Sequence, residues 1–312
     1  MALTLAQANS VSRDQLAAGV GKVFTYNSFI LDRLAFETIE GTAYKYFTEA
    51  ALPGAEFRAV NSSYAESTGS FTSATEGLTI LGGDADVDRF LQLTRSDLID
   101  QRATQVEMKA RAIAHKFNDT FINGNTAVDA NSFNGLKTRL TGGQVISAGT
   151  NGAAINSDAA TRQGFFDMLD ALIGAVPNCQ VLLTNRQILA KYRSAARRET
   201  MAQTTVDTLG RTVDVYNGVP IVDVGNKADG TQIIPQTETQ GTATDAGSIY
   251  AVHFGAGAPE QGVVGLTNGG IQVFDLGQLE TKPVYRTRIE WFCGLALFGS
   301  APAARLTGVR AA

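Results

Sequence analysis

The sequence predicts a mixed fold of helix and sheet, of the α+β or α/β kind, on three observations. Residues 97–122 carry a single apolar stripe at helical spacing. Later in the chain, residues 159–175, 179–183 and 186–199 read in the order helix, strand, helix. Between them and the N-terminus lies a long stretch, residues 61–83, rich in Gly, Ser and Thr and too polar to bury a core of its own. A long polar excursion beside a rigid rod suits a subunit that reaches out to neighbours, so assembly is expected before catalysis.

Composition narrows the classes further. With 312 residues and 44% hydrophobic content, the chain can bury one large core or two moderate ones and lacks the signature of disorder. The formal net charge of -4 leaves no diffuse basic footprint, so tight phosphate binding by the isolated chain is not expected, although a wall facing packed DNA can be mildly acidic. Cys179 and Cys293 are too few for a disulfide framework or a thiolate zinc site, and read as buried free thiols in a reducing compartment. The first 15 residues lack the pattern of a secretory signal, and no segment approaches the ~20 apolar residues of a membrane span. A cytoplasmic protein with no membrane partner is expected.

Element by element, residues 2–49 read as an arm with one or two brief helices and little local anchoring, around Phe29, Ile30, Leu31, Leu34 and Phe36. Residues 46–60 read as a strand broken at Pro53 and Gly54. Residues 84–94 read as its partner, with Ala85, Val87, Leu91 and Leu93 alternating against Asp84, Asp86, Asp88 and Gln92. The two strands then bracket the polar stretch as a long hairpin, a connection whose length usually marks function or disorder. In the long helix, Ile99, Ala103, Val106, Ala110, Ile113, Phe117 and Phe121 recur at spacings of three and four; Thr94 and Asp97 form a capping pair, and Asn123, Gly124 and Asn125 supply the stop. Further strands fall at 212–216, 219–224, 248–254 and 271–275, with Asn217-Gly218 as a hairpin turn. Residues 227–247 read as a loop, 283–298 as a long strand and 301–309 as a closing segment.

Certain phrases in this order carry a resemblance. They are Phe121-Ile-Asn-Gly-Asn125 running on to Phe133-Asn-Gly-Leu136, Tyr216-Asn-Gly-Val-Pro-Ile-Val222, and Arg288-Ile-Glu-Trp-Phe292 leading to Pro302-Ala-Ala-Arg-Leu-Thr-Gly308. The chain resembles tailed-phage major capsid proteins of the Hong Kong ninety-seven type, over most of its length after Thr48. The resemblance implies an α+β capsid fold: an N-terminal arm (1–50), an extended loop (51–90) lying over an adjacent subunit, a peripheral domain (91–139 and 278–312) with the spine helix 97–122, and an axial domain (140–277) aimed at a fivefold or sixfold axis. It implies pentamers and hexamers of an icosahedral phage head around double-stranded DNA, in a virion capsid assembled in the host cytoplasm. A portal and, in some relatives, a decoration protein accompany such shells. The chain begins almost directly with its arm, so a separate scaffolding protein is expected. The stretch 61–83 contains no lysine, which does not support the lysine-to-asparagine crosslinks of some relatives. The alternatives are an encapsulin-like compartment shell with protein cargo and, from another class, an α/β enzyme or ligand-binding protein.

Candidate chemistry is sparse. Asp84, Asp86 and Asp88 share one strand face, which is solvated, meets basic side chains of another subunit, or holds a hard cation such as calcium. His115 and Asp119 lie one helical turn apart, but with His253 as the only other imidazole no metal set is completed. Lys191, Arg193, Arg197 and Arg198 meet phosphates or neighbouring carboxylates, or simply suit a helix C-terminus. Residues 255–270 lack the phosphate-loop lysine and dinucleotide spacing and read as loop geometry. There is no nucleophile elbow and no zinc histidine pair. No catalytic residue, metal site or cofactor is expected, and Arg58, Asp84, Asp86, Asp88, Arg197 and Arg198 stand as candidates for contact between subunits.

Overall fold

The structure is a computed structural model that describes residues 28–95, 101–206, 210–257 and 262–311. The Ser28 hydroxyl accepts the Leu31 amide at 3.0 Å and donates to Asn118 at 2.7 Å, capping the short helix α1 (Phe29–Arg33) and pinning it to the spine. Ile30, Leu31 and Leu34 are buried, so this part of the expected arm is anchored in the core instead of loose. Strand β1 (Phe36–Thr38) follows, then β2 (Ala43–Ala51), β3 (Ser70–Gly77) and β4 (Thr79–Asp88).

The hairpin differs from expectation in its partner. β2 pairs with β3, not with residues 84–94, while residues 52–69 carry neither helix nor strand. The polar Ser and Thr of β3 hid a strand whose first half, Ser70 to Ser73, is open to solvent on both faces and shows no alternation to read. The second strand also ends early. Asp88 accepts the Phe90 amide at 2.7 Å and helix α2 (Arg89–Arg95) begins, so Ala85 and Val87 are buried as expected while Leu91 and Leu93 are exposed.

The spine helix α3 (Gln101–Asn123) is about 35 Å long at ~1.5 Å per residue. Val106, Ala110, Ile113, Phe117 and Phe121 form the expected buried stripe; Ala103 is exposed, and Asp97 and Ile99 lie outside the described residues. The helix ends where the chain doubles back on itself. A Cβ on Gly124 would lie 2.2 Å from the Phe133 carbonyl, and one on Gly135 2.3 Å from the Thr120 carbonyl, so only glycine permits this turn. Helix α4 (Leu136–Arg139) follows directly.

The rest of the chain runs β5 (Val145–Ser147), β6 (Ala153–Ala154), α5 (Ala159–Gly174), β7 (Val181–Thr184), α6 (Arg186–Arg198), β8 (Gln203–Val206), β9 (Thr212–Tyr216), β10 (Val219–Asp223), β11 (Glu238–Gln240), β12 (Ala243–Val252), β13 (Gly262–Gln278), β14 (Val284–Phe298) and β15 (Ala303–Arg310). Helix α5 starts at a capping box of Asp158 and Thr161, and α6 at Asn185, which accepts the Ile188 amide at 2.8 Å. Asn217 and Gly218 both take positive φ (48° and 82°), as the hairpin turn between β9 and β10 requires.

Two sheets result. One has the order β1-β13-β14-β4; the other runs β5-β15-β12-β7-β10-β9-β8, with β11 on β12 and β6 on β15. β13 pairs with β14 and β1, and β15 pairs with β12 and β5. The glycines of residues 262–270 conceal a strand: Val263, Val264 and Leu266 are buried in consecutive fashion because both faces are covered. Likewise the expected loop 227–247 contains β11 and the start of β12.

Alternation in the large sheet feeds two cores. Leu182, Ile221, Ile249, Ala251 and Leu306 pack with Phe165, Leu169, Ile188 and Tyr192 of α5 and α6. Val181, Leu183, Tyr250 and Val252 join a second core with Phe117 and Phe121 of the spine, Ile30, Leu34 and Trp291. Trp291 is fully buried, 4.8 Å from the Phe117 ring and 5.3 Å from that of Phe36, and donates from Nε1 to Thr267 Oγ1 at 3.1 Å.

Candidate assembly surfaces

The β2–β3 hairpin leaves the globule as a two-stranded ribbon, a form only marginally stable by itself in water. Its root is held: Tyr46 is buried edge-on against Phe298 at 4.8 Å, and Tyr44 meets the same ring at 6.1 Å. Beyond the root its apolar side chains are open to solvent. Phe57 is 106% and Val60 90% exposed, and Phe47, Leu52, Tyr64 and Phe71 are exposed with them. A row of large apolar groups on a projecting element is the mark of an interaction surface. Arg58 stays within the tip, 5.3 Å over the Tyr64 ring and donating to the Ser62 carbonyl at 3.1 Å.

The three carboxylates on β4 separate. Antiparallel register sets Asp84 opposite Arg288 and Asp86 opposite Arg286 on β14. Arg288 donates to both Asp84 oxygens at 2.7 and 3.0 Å, and Arg286 to both Asp86 oxygens at 2.7 and 2.6 Å, a bidentate ladder within the chain. Asp88 is used in the turn into α2. The alternating Arg286 and Arg288 matched the alternating Asp84 and Asp86, a pattern that sequence reading passed over.

Hydrogen bonds from Arg288 hold the Asp84 carboxyl below the usual carboxylate range, and those from Arg286 do the same for Asp86. With the folded-state value depressed, the ladder stabilises the fold above the unfolded-state value of about 3.9. That contribution is lost as pH falls through the folded-state value. The double substitution Asp84→Asn with Asp86→Asn is therefore expected to lower the Tm at neutral pH, with the difference from wild type shrinking as the pH falls through the folded-state values. Melting curves over a falling pH series check this; a Tm difference that stays constant down the acid limb contradicts it.

On α6, Arg186, Arg193, Arg197 and Arg198 are exposed and Lys191 half-buried. Arg193 donates to Asp214 at 2.7 Å and Arg198 to Asn156 at 3.1 Å; the Arg197 side chain makes no hydrogen bond or ion pair among the described residues. Asp119 pairs with Lys227 at 3.1 Å and accepts from Asn123 at 2.8 Å, which joins the spine to the loop under the large sheet, while His253 is buried far along the chain at the end of β12.

Two polar clusters went unseen in the sequence. Arg139 pairs with Glu76 across 63 positions, and Glu238 accepts from Arg305 and Lys137, each at 2.8 Å, and from Ser248. Burial alone would raise the Glu238 carboxyl, but the hydrogen bonds of Lys137 and Ser248 outweigh it and hold it low. Such long-range pairs leave no local spacing to detect. The thiols differ too: Cys293 is buried but Cys179 only half so, its strand starting two residues later than expected. Burial pushes Cys293 up to about 12 and Cys179 up to about 11. In native protein at about pH 8, a thiol reagent should label Cys179 slowly and Cys293 only on unfolding. Mass spectrometry of the labelled peptides checks it, and prompt native labelling of Cys293 contradicts it.

A hairpin arm, a long spine and two sheets between which the chain passes define a fold, and the comparisons with known proteins agree on it. The model described as "Major capsid protein GP7" matches residues 18–163, and that described as "Type 2A encapsulin shell protein SrpI-like" matches residues 151–279. No curated protein matches the sequence. Among solved structures, the SrpI encapsulin of Synechococcus elongatus PCC 7942 is 18% identical, with a TM-score of 0.67 over 91% of this chain and 88% of that one. The capsid of a native GTA particle is 16% identical, with a TM-score of 0.62 over 91% and 90%. Microbacterium phage Oxtober96 gives 14% identity and a TM-score of 0.62 over 91% of both chains. The chain has the Hong Kong ninety-seven-type capsid fold. Its first half is similar to a major capsid protein model and its later part to an encapsulin shell model.

Proposed function

We propose that the chain assembles with copies of itself as pentamers and hexamers of an icosahedral phage head enclosing double-stranded DNA. The observation that carries this reading is the β2–β3 hairpin, whose exposed Phe57 and Val60 find no cover in their own subunit. A neighbour that takes up the ribbon gains main-chain hydrogen bonds as well as apolar burial, and closed symmetry repeats the contact at every subunit. The peripheral region is then built on the spine and the four-stranded sheet, and the axial region on the nine-stranded sheet. The role is structural, not catalytic, with no cofactor. Scaffolding protein and portal are separate partners, a decoration protein an optional one. Assembly takes place in the host cytoplasm.

The exposed arginines of α6 support DNA as the content, since they give a chain of net charge -4 one basic face for non-specific phosphate contact. A second reading is an encapsulin-like shell with protein cargo, favoured by the match of residues 151–279 to an encapsulin shell model. Negative-stain microscopy of the purified protein, followed by nuclease treatment and analysis of the protected content, separates the two. Closed shells with protected DNA support the first reading, shells holding only protein support the second, and a monomer under all conditions overturns both.

A further inference from the structure

The direction in which the hairpin leaves the globule is set at one place. β2 and β3 emerge side by side where Leu78 donates to the Thr42 carbonyl at 2.9 Å, next to Gly41 at φ 93°. Alternating burial in β3 exists only at this root, where Ala74 and Glu76 turn inward; from Ser70 to Ser73 every position is exposed. Glu76 accepts two hydrogen bonds from the Arg139 guanidinium, the one to Oε2 at 2.6 Å, and its Oε1 lies 3.5 Å from the Tyr46 hydroxyl. Both charged side chains are more than four-fifths buried.

Arg139 is itself fixed from behind. Its Nε donates to the Asn134 carbonyl at 2.7 Å, and the Asn134 side chain accepts the Thr126 amide at 2.9 Å, so the guanidinium is held by the turn that ends the spine. Two positions earlier on α4, Lys137 donates to Glu238 of β11 at 2.8 Å. This four-residue helix therefore grips the hairpin with one cation and the nine-stranded sheet with another.

We propose that the Arg139–Glu76 pair is a latch that aims the hairpin, so that Arg139 is a positioning residue for assembly although it lies at the root and not at the contacting tip. This inference rests on the hairpin's role in shell assembly. A rigid strut presents its tip to a neighbour in one orientation, whereas a ribbon held only by the Tyr44 and Tyr46 contacts with Phe298 and the Leu78–Thr42 bond swings and pays for its ordering at each contact. Losing the latch leaves the core of the subunit in place and spreads the angles between subunits.

Three variants test it: Arg139→Glu, Glu76→Arg and the exchanged double variant. Hydrogen exchange of dissociated subunits should rise roughly 10-fold at residues 43–47 and 73–77 in each single variant, stay unchanged in β7 and β12, and return toward wild type in the exchange. Microscopy should show open or heterogeneous assemblies for the single variants and uniform shells for the exchange. Unchanged exchange at the root in both single variants, or a folded double variant that recovers neither rigidity nor shells, overturns the latch. Should Arg139→Glu fail to fold, Arg139→Gln removes the charge with little steric change and is read by the same exchange measurement. A wild-type protein that never assembles refutes the shell reading, and the exchange experiment still decides the latch.

Discussion

Replacing residues 53–68 by Asn-Gly leaves a folded subunit that no longer closes into shells. The segment has no helix or strand, and its hydrogen bonds, Ser67 to Gly54 at 2.9 Å and Arg58 to Ser62 at 3.1 Å, stay inside it, so its removal costs the globule nothing. A two-residue turn then closes β2 onto β3 in its present register. What is lost is the burial of Phe57, Val60 and Tyr64 on a neighbour, about 1.5–3 kcal/mol for each large apolar group. Multiplied over every contact of a closed shell, that loss takes assembly from complete to undetectable. Circular dichroism should be unchanged while sedimentation velocity shows only small species; closed shells from the truncated protein would count against the role given to the tip. The cut must stop before Ser70. A deletion running to Leu81 would also remove β3 and the part of β4 that pairs with Trp291 and Phe292.

Trp291→Ala is expected to cost the subunit about 3–5 kcal/mol, the range for emptying a large aromatic site in a packed core. The indole touches elements far apart in sequence: Phe36 of β1, Phe117 of the spine and the Thr267 hydroxyl of β13. Collapse cannot refill a site whose walls are a helix and a sheet. Trp291→Phe keeps the ring contacts, and Thr267 Oγ1 retains its own bond to the Phe292 carbonyl at 3.1 Å, so its cost should be well under half as large. Denaturant unfolding of dissociated subunits measures both. A loss below about 1 kcal/mol for the alanine variant would mean that the core does not depend on this side chain.

How much of this could be read beforehand follows from where periodicity survives. The spine stripe from Val106 to Phe121 and the helices at 159–174 and 186–198 were legible because each buries one face, and a caps-and-stripe pattern is local. The Asn217-Gly218 turn was legible for the same reason. β3 and the first half of β13 were not, for opposite causes: Ser70 to Ser73 are exposed on both faces, whereas Val263 and Val264 are covered on both, so neither alternates. Beyond that hairpin strand membership could not be read, because a sheet shared by β5, β15 and β12 is decided by contacts from 51 to 160 residues apart. Of the candidate contact residues, Asp84 and Asp86 already have cross-strand arginines, Asp88 serves a turn and Arg58 braces the tip. Arg197 and Arg198 remain on an open face of α6.

Strand β14 runs fifteen residues with a neighbour on either side, paired to β13 along nearly its whole length and to β4 from Val284 to Cys293. Tension applied along that strand strains many ladder hydrogen bonds together in shear, but tension across it unzips them singly, beginning at the register break beside Gly269 and Gly270. The subunit is thus mechanically anisotropic, stiff in one direction and compliant in the other. A wall tiled from such pieces resists stretching best where its β14 strands lie along the load.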